Sequence, residues 1–567
     1  PSSDQRAPIW TDVAGLGLLF GLLYFHGIGE VALVNPDEGR YAEVAREMVV
    51  TGDYVTPRLN GVLYFEKPPF VYWLMARSMK GFGSSEMAVR AVPAFFALAG
   101  VLITYGATRR LYGRGAGLAA AIVLGSSLLY FALGRILSLD MAVSVLMSAT
   151  LFCFLQGVRE PVSLATGENG TKRRCFFYGL YASAALTTLT KGLIGFLLPG
   201  AVMFFWLVIF DQWSRLRPLY LPSGVALFLA IAAPWHVLVA QRNPGWAHFY
   251  FVREHWERFT TTEHGRFQPW WYFLPFIAVG LFPWTGCVWD AVRQALRGGW
   301  TRRRENADAG FFVIWAGLVF LFFSISQSKL IPYILPVFPP LAVMIGASLA
   351  DRWRREELAG TRLALGTFSA MAALLGVALI VVLTQPGLMA DADKLALIKP
   401  DGLAAAVALL VGAVLVPLLV LRRQWGRAMA ALVTSVAVFY LALGESQDKV
   451  ARPGTKAFAL RVMAEIQPGD RVYHYHDFFH DFTYYSEQTV GTVAAANTEL
   501  EIWIDPEAQA SGRFIDESEF RRQWAGETRL WVVARKREVV GKLFSDPTFH
   551  FNLLGETAGH YLFSNRP

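Results

Sequence analysis

The chain has 567 residues, of which 54% are aliphatic, aromatic or sulfur-bearing and 17% charged, with a formal net charge of +8. That balance lies outside the range of soluble globular chains and marks a membrane protein. Cys153, Cys175 and Cys287 fall in or beside apolar stretches, which excludes a disulfide framework or Cys-rich zinc site, and the positive charge sits in short loops, which excludes a nucleic-acid partner.

Apolar runs long enough to span a bilayer recur about thirteen times. They lie near Val13 to Val34, Val89 to Ala107, Ala116 to Leu133, Met141 to Val158, Phe176 to Leu189, Leu193 to Phe210 and Leu219 to Ala240. The rest lie near Trp270 to Trp289, Phe311 to Ser326, Ile331 to Leu349, Leu363 to Leu383, Leu403 to Leu421 and Met429 to Leu443. The first run is long enough to remain as an anchor, so no cleaved signal is expected. The fold class that follows is a polytopic α-helical membrane protein with juxtamembrane helices and a small C-terminal α/β domain. The expected division is a transmembrane part over 1–445 and a water-soluble part over 446–567.

Between the first two runs, Asn35-Pro36-Asp37-Glu38-Gly39-Arg40-Tyr41 reads as a helix start. Asn35 can cap, Pro36 suits the first position, and Glu38 stands three residues after the cap. Asp37 then sits where the helix dipole favours a carboxylate, with Arg40 and Tyr41 on its face. Further on, Tyr64-Phe65-Glu66-Lys67-Pro68-Pro69 precedes a segment with Phe70, Tyr72, Trp73, Met75, Arg77 and Lys80 that suits an interfacial helix. Lys67, ahead of Pro68, is biased to extended backbone that projects its ammonium.

Lys and Arg collect in alternate connections: Arg109, Arg110 and Arg114; Arg159 and Lys172 to Arg174; Arg215 and Arg217; Arg302 to Arg304; Arg352 to Arg355; Arg422 to Arg427. Solvated cytoplasmic rims are the expected reading. An odd number of spans then puts the N-terminus inside and the Asp37 loop and C-terminal segment outside.

Other outer connections carry unusual polar groups. Arg135 to Asp140 offers Arg135 and Asp140; Thr190-Lys191-Gly192 offers Lys191. Glu254, His255, Arg258 and Phe259 form a helical stripe, and Lys329 and Tyr333 stand four apart before a Pro-rich span. Acids, cations and phenols at one membrane face suit an anionic, lipid-borne substrate. Intramembrane and rim charges of this kind usually serve function. Glu66 and His255 are weak metal-ligand candidates that would need further ligands, and no cofactor is required.

After about Glu445 the composition is that of a small soluble domain. Arg471 to Tyr475 and Arg529 to Ala534 read as strands, Arg537 to Phe544 as a helix, and His550 to Phe563 as a hairpin. His474, His476, His480 and Asp481 alternate like metal ligands but lack a second ligand set, so a satisfied surface patch is expected.

At Asp37-Glu38, Tyr64 to Pro69, Asp140, Lys191-Gly192, Glu254-His255 with Arg258-Phe259, and Ser328-Lys329 with Tyr333 and Leu335-Pro336, the sequence resembles the glycosyltransferase C superfamily. Within it the sequence is most similar to the bacterial lipid A 4-amino-4-deoxy-L-arabinose transferases, relatives of protein O-mannosyltransferases. The resemblance spans roughly residues 10 to 445. It implies an undecaprenyl phosphate-linked aminoarabinose donor, a lipid A phosphate acceptor, inversion on the periplasmic face of the inner membrane, resistance to polymyxin, and no obligatory metal.

With no metal, the phosphate released from the donor needs cations, which Lys67, Lys191, Arg258, Lys329 and Arg40 supply. Asp37 and Asp140 are the expected catalytic carboxylates; Tyr41, Tyr64, Glu66, Tyr333 and His255 are the expected substrate contacts. Asp37 is a general base if the acceptor is a hydroxyl and a positioning group if it is an ionised phosphate. A sibling transferase for another polyprenyl-linked sugar is the nearest alternative. A lipid-linked sugar transporter is the alternative of another class, but transport favours midspan charges and repeat symmetry.

Overall fold

A computed structural model describes residues 8–160, 168–257, 267–297, 299–357, 361–385, 392–450, 454–494, 500, 502–557 and 559–567. The chain forms two compact units. One comprises Pro1–Ile28, Pro93–Val237 and Phe251–Val450; the other comprises Gly29–Val92, Leu238–Tyr250 and Ala451–Pro567. The sequence-based division at 445 follows chain order, whereas two earlier segments group in space with the C-terminal one.

Among the described residues, eight helices are long and apolar enough to cross a membrane, and ten crossings result if each of two bent pairs counts as one. Each predicted apolar run overlaps a helix, but Ile9–Phe25 and Ile194–Phe210 are only 17 residues long. The first helix ends at Phe25, short of the expected Val34, because His26 leaves helical geometry and turns follow.

The bends have local causes. Arg114–Ser126 and Leu128–Arg135 meet at 62°, where the Ser126 and Ser127 hydroxyls donate to the carbonyls of Ile122 and Val123 at 2.5 and 2.6 Å. Such back-bonding competes with the helix ladder and bends it. Trp284 Nε1 donates to Ser126 Oγ at 2.9 Å, and Tyr440 OH donates to the Ser126 carbonyl at 2.8 Å. The backbone freed by the bend therefore finds partners where lipid offers none. Small residues bring helices together elsewhere: a Cβ on Gly346 would stand 2.5 Å from Ala120 N.

The basic rim is more tightly bound than expected. Asp12, just ahead of the first predicted run, is buried. It receives Arg109 at 3.0 Å, Arg114 at 2.8 Å and the Tyr105 hydroxyl at 2.6 Å. Arg110 pairs with Glu160, and Arg159 and Arg215 share Asp308. These arginines are pinned by acids as well as solvated, through partners as far apart in sequence as Arg159 and Asp308, a pairing that loop charge counts do not reveal.

In the second unit, Asp37–Thr51 and Phe70–Phe82 are short helices. Between them, Arg58–Leu59 and Val62–Leu63 form a hairpin whose turn residues Asn60 and Gly61 both have positive φ, 57° and 71°, as a two-residue Asn-Gly turn requires. The C-terminal part holds a six-stranded sheet in the order Phe514–Ile515, Gly491–Val493, Arg471–Tyr475, Leu530–Arg535, His560–Ser564, Asn552–Glu556. The first four strands run parallel and the last two pair antiparallel. This is the expected α/β domain with its terminal hairpin; the predicted helix from Arg537 to Phe544 shrinks to Lys536–Val539, ahead of helix-breaking Gly541. Tyr473, Tyr475, Phe520, Trp524, Val532 and Phe563 are among the core.

The histidine segment is not a surface patch. His474 and His480 are buried, and His474 packs against the rings of Phe478, Phe479 and Phe482 at 5.0 to 5.4 Å. Burial drives its pKa down to about 3, so it is a neutral core residue. A parallel strand is covered on both faces, which a period-two reading misses. His476 lies past the strand end with φ 56° and faces Glu517 at 3.2 Å.

Candidate functional site

The helix carrying Asp37 begins as Asp37–Thr51, with Pro36 in helical geometry before it. Asn35 does not cap it: its side-chain oxygen accepts from the His480 backbone N–H at 3.0 Å. Glu38 reaches back instead, accepting from the Val34 N–H at 2.8 Å. Asp37 occupies the first turn, where free N–H groups and the dipole favour its negative charge.

Around it the expected carboxylate, cation and phenol converge. The Asp37 side chain, 56% exposed, pairs with Arg40, which is 4% exposed. The guanidinium lies 5.1 Å from the centre of the Tyr41 ring. Tyr41 neighbours Tyr72 at 6.0 Å, and Tyr72 neighbours Tyr64 at 6.4 Å between ring centres. Tyr64 and Tyr72 are buried. Burial first, then Glu66 for Tyr64 and Tyr41 for Tyr72, pushes both phenols well above their ordinary pKa, so they stay protonated. Lys67 donates to the Glu66 carbonyl at 2.8 Å and stands 3.9 Å from its carboxylate. An accessible carboxylate is thus backed by a buried guanidinium, three phenols and an ammonium, a set suited to a substrate bearing both phosphate and polar sugar groups.

The second unit therefore gathers Asp37, Arg40, Tyr41, Tyr64, Glu66 and Lys67. Tyr72 joins them, as an additional phenol, on the helix Phe70–Phe82. Its signal was its place one turn past the Glu-Lys-Pro-Pro segment, read only as part of an interfacial face.

Asp140, Lys191, Lys329 and Tyr333 belong to the first unit. Ser138 caps the helix Leu139–Arg159 by accepting from Asp140 N–H, while Lys191 ends Glu168–Lys191. An acid at a helix start and a base at a helix end each suit the local dipole. The two side chains pair, and Lys191 Nζ lies 4.1 Å from the centre of the Tyr333 ring, an ammonium over an aromatic face. Lys329 is buried and donates to the carbonyls of Gln268 and Ser326 at 2.8 and 2.6 Å. Two of its three N–H donors thereby clasp loop backbone, and burial lowers its pKa. Arg258 lies outside the described residues. His255 lies on Phe249–Glu257, with its side chain outside them. Among the described residues no three His, Cys, Asp or Glu side chains gather as a metal site would require.

Residues 66–237 match the family model described as dolichyl-phosphate-mannose-protein mannosyltransferase. The structure is similar to that of ArnT from Cupriavidus metallidurans bound to undecaprenyl phosphate, with 28% identity, a TM-score of 0.85, and coverage of 99% of this chain and 98% of that one. The chain is a polytopic membrane protein with the fold of glycosyltransferase C proteins.

Among curated relatives it is 34% identical over 334 residues to the undecaprenyl phosphate-alpha-4-amino-4-deoxy-L-arabinose arabinosyl transferase of Pectobacterium atrosepticum, covering 58% of this chain and 57% of that protein. It is 35% identical over 341 residues to the transferase of the same name from Aeromonas hydrophila, covering 59% of each. The chain thus spans less than two thirds of the length of these relatives in the matched alignments. It is a homologue of these arabinosyl transferases.

Proposed function

We propose that the protein transfers 4-amino-4-deoxy-L-arabinose from undecaprenyl phosphate to a phosphate of lipid A. The transfer takes place on the periplasmic face of the bacterial inner membrane and gives resistance to polymyxin and other cationic peptides. The carrying observation is the likeness, over nearly its whole length, to a structure holding undecaprenyl phosphate. The charged, phenol-lined surroundings of Asp37 supply groups suited to such a substrate, and the basic alternate loops support an outward-facing Asp37 segment.

In the proposed step an acceptor phosphate oxygen attacks the anomeric carbon from the face opposite the donor phosphate. The bond from that carbon to the donor oxygen breaks, undecaprenyl phosphate leaves with the electron pair, and the configuration inverts. A phosphate monoester, with a second pKa of about 6, is already ionised near neutrality, so no base is needed. Asp37 orients the donor, its carboxylate complementing the sugar ammonium, while Arg40 and Lys67 face the phosphate. Asp140, held by Lys191, assists. The reading assigns the leaving charge to these side chains and includes no metal.

The mannosyltransferase family match favours a second reading, transfer to a protein hydroxyl, in which Asp37 takes the hydroxyl proton. Mass spectrometry of lipid A from cells with and without the gene separates the two. Aminoarabinose on lipid A phosphate that disappears with the gene is expected; unchanged lipid A overturns the first reading. Lys67→Ala is expected to raise the donor KM at least ten-fold, and an unchanged KM removes Lys67 from the phosphate contacts.

A further inference from the structure

The segment leading into Asp37, residues 31–36, has no regular structure of its own, yet its polar groups are held at successive positions. Arg90 donates to the carbonyls of Val31 and Ala32 at 2.5 and 3.1 Å. The same guanidinium grips Glu38 at 2.9 and 2.6 Å, a bidentate pair whose side chains are 6% and 3% exposed. The Leu33 N–H donates to the Tyr485 hydroxyl at 2.8 Å, and that hydroxyl donates to Glu86 at 2.8 Å. Glu86 also receives Lys456. The Asn35 side chain receives the His480 N–H. Burial, and after it the Glu86 carboxylate, pushes the Tyr485 phenol above its ordinary pKa, so the proton this relay needs is retained.

Tyr485 and His480 both lie on the helix His480–Ser486 of the C-terminal sheet domain, more than 440 residues after the segment they hold. We infer that this helix is a positioning element for Asp37, with Tyr485 its principal residue. Tyr485 acts through the Leu33 backbone, while Arg90 fixes the other side of the same turn through Glu38. The C-terminal domain in this account contributes to turnover rather than merely covering the enzyme. The inference rests on the proposed role of Asp37.

The relay makes a distinction that a purely structural role does not. Tyr485→Phe keeps the ring and removes only the hydroxyl, so the Leu33 N–H loses its acceptor and the Asp37 turn loses one restraint. Misplacement of a positioned group by about 1 Å costs about 100-fold in rate. The test measures kcat and donor KM of the full-length protein in detergent, normalised to folded protein, for wild type, Asp37→Asn, Tyr485→Phe and Asn35→Ala. Expected is at least a ten-fold loss of kcat per folded molecule for Tyr485→Phe, with donor KM within about two-fold, because the misaligned carboxylate weakens the transition state more than ground-state binding. Asn35→Ala, which removes the neighbouring restraint, is expected to lose kcat in the same way and serves if Tyr485→Phe does not fold. Wild-type kcat per folded molecule in Tyr485→Phe, or in Asn35→Ala if that alone folds, with Asp37→Asn inactive, overturns the inference. An active Asp37→Asn overturns instead the catalytic reading on which it rests.

Discussion

Gly39→Ala sets two well-known energies against each other. Gly39 lies inside the helix that begins at Asp37, and on an isolated helix the exchange would stabilise by about 1 kcal/mol. Here the new Cβ would stand 2.5 Å from Asp481 N, 2.8 Å from His480 C and 2.9 Å from Asp481 Cα. All three are backbone atoms that cannot rotate aside, so one helix must retreat by roughly 0.5 to 1 Å to restore ordinary contact, a strain of about 1–3 kcal/mol. The strain matches or exceeds the helix gain, and a net loss of about 0–2 kcal/mol is expected. The same retreat moves Asp37, two residues away, by a distance that costs about 100-fold in rate. Thermal unfolding in detergent measures the first effect and kcat at saturating donor the second. Gly106→Ala, where nothing lies within 4 Å of the added carbon, provides the matched control with no loss expected. A Gly39→Ala protein that is more stable than wild type and fully active would refute the close approach of the two helices.

Arg90→Ala leaves Glu38 charged and buried without its bidentate partner, and a loss of about 3–5 kcal/mol is expected for breaking such a pair. Replacing both residues by apolar ones, Glu38→Leu with Arg90→Met, should recover much of that stability but not the activity; an unchanged Tm in the single variant would contradict the pairing. Glu47 is buried and near Glu43, which raises its pKa to about 8, while the Gly61 N–H partly offsets the rise. A carboxyl raised in the folded state favours folding fully below its unfolded pKa of about 4.5 and loses that contribution as pH rises through about 8. Glu47→Gln should therefore gain stability relative to wild type between pH 5 and 8.5, read as a widening Tm difference; a constant difference would contradict the shift.

How far the sequence reaches is clear from particular residues. Asp37 at a helix start, with Arg40 and Tyr41 one turn on, is local information, and the structure brings them together as the spacing requires. Tyr64 and Lys67 were reachable through their proline-flanked segment. Asn35 does not cap the helix because its side chain is held by the His480 N–H, 445 residues away; no local pattern encodes that partner. Arg90 carried a legible signal, a lone arginine near the start of an apolar run, since such a charge must find a partner. Tyr485 carried none. Asn60-Gly61 is a strong hairpin signal that an apolar-run reading passes over. His474 is covered by the nearby rings of Phe478, Phe479 and Phe482, which strand alternation does not register, whereas the acids that pin the rim arginines stand far away in sequence. Among the described residues, length and composition qualify eight to ten crossings, fewer than the thirteen apolar runs, because bends and short helices divide the runs.

The most direct measurement is transfer by the purified full-length protein given undecaprenyl phosphate-linked aminoarabinose and lipid A, followed by mass spectrometry of the lipid, for wild type beside Asp37→Asn. The account predicts aminoarabinose on a lipid A phosphate with wild type and none with an Asp37→Asn protein that retains its Tm. Absence of transfer by folded wild type, or full transfer by Asp37→Asn, would contradict it.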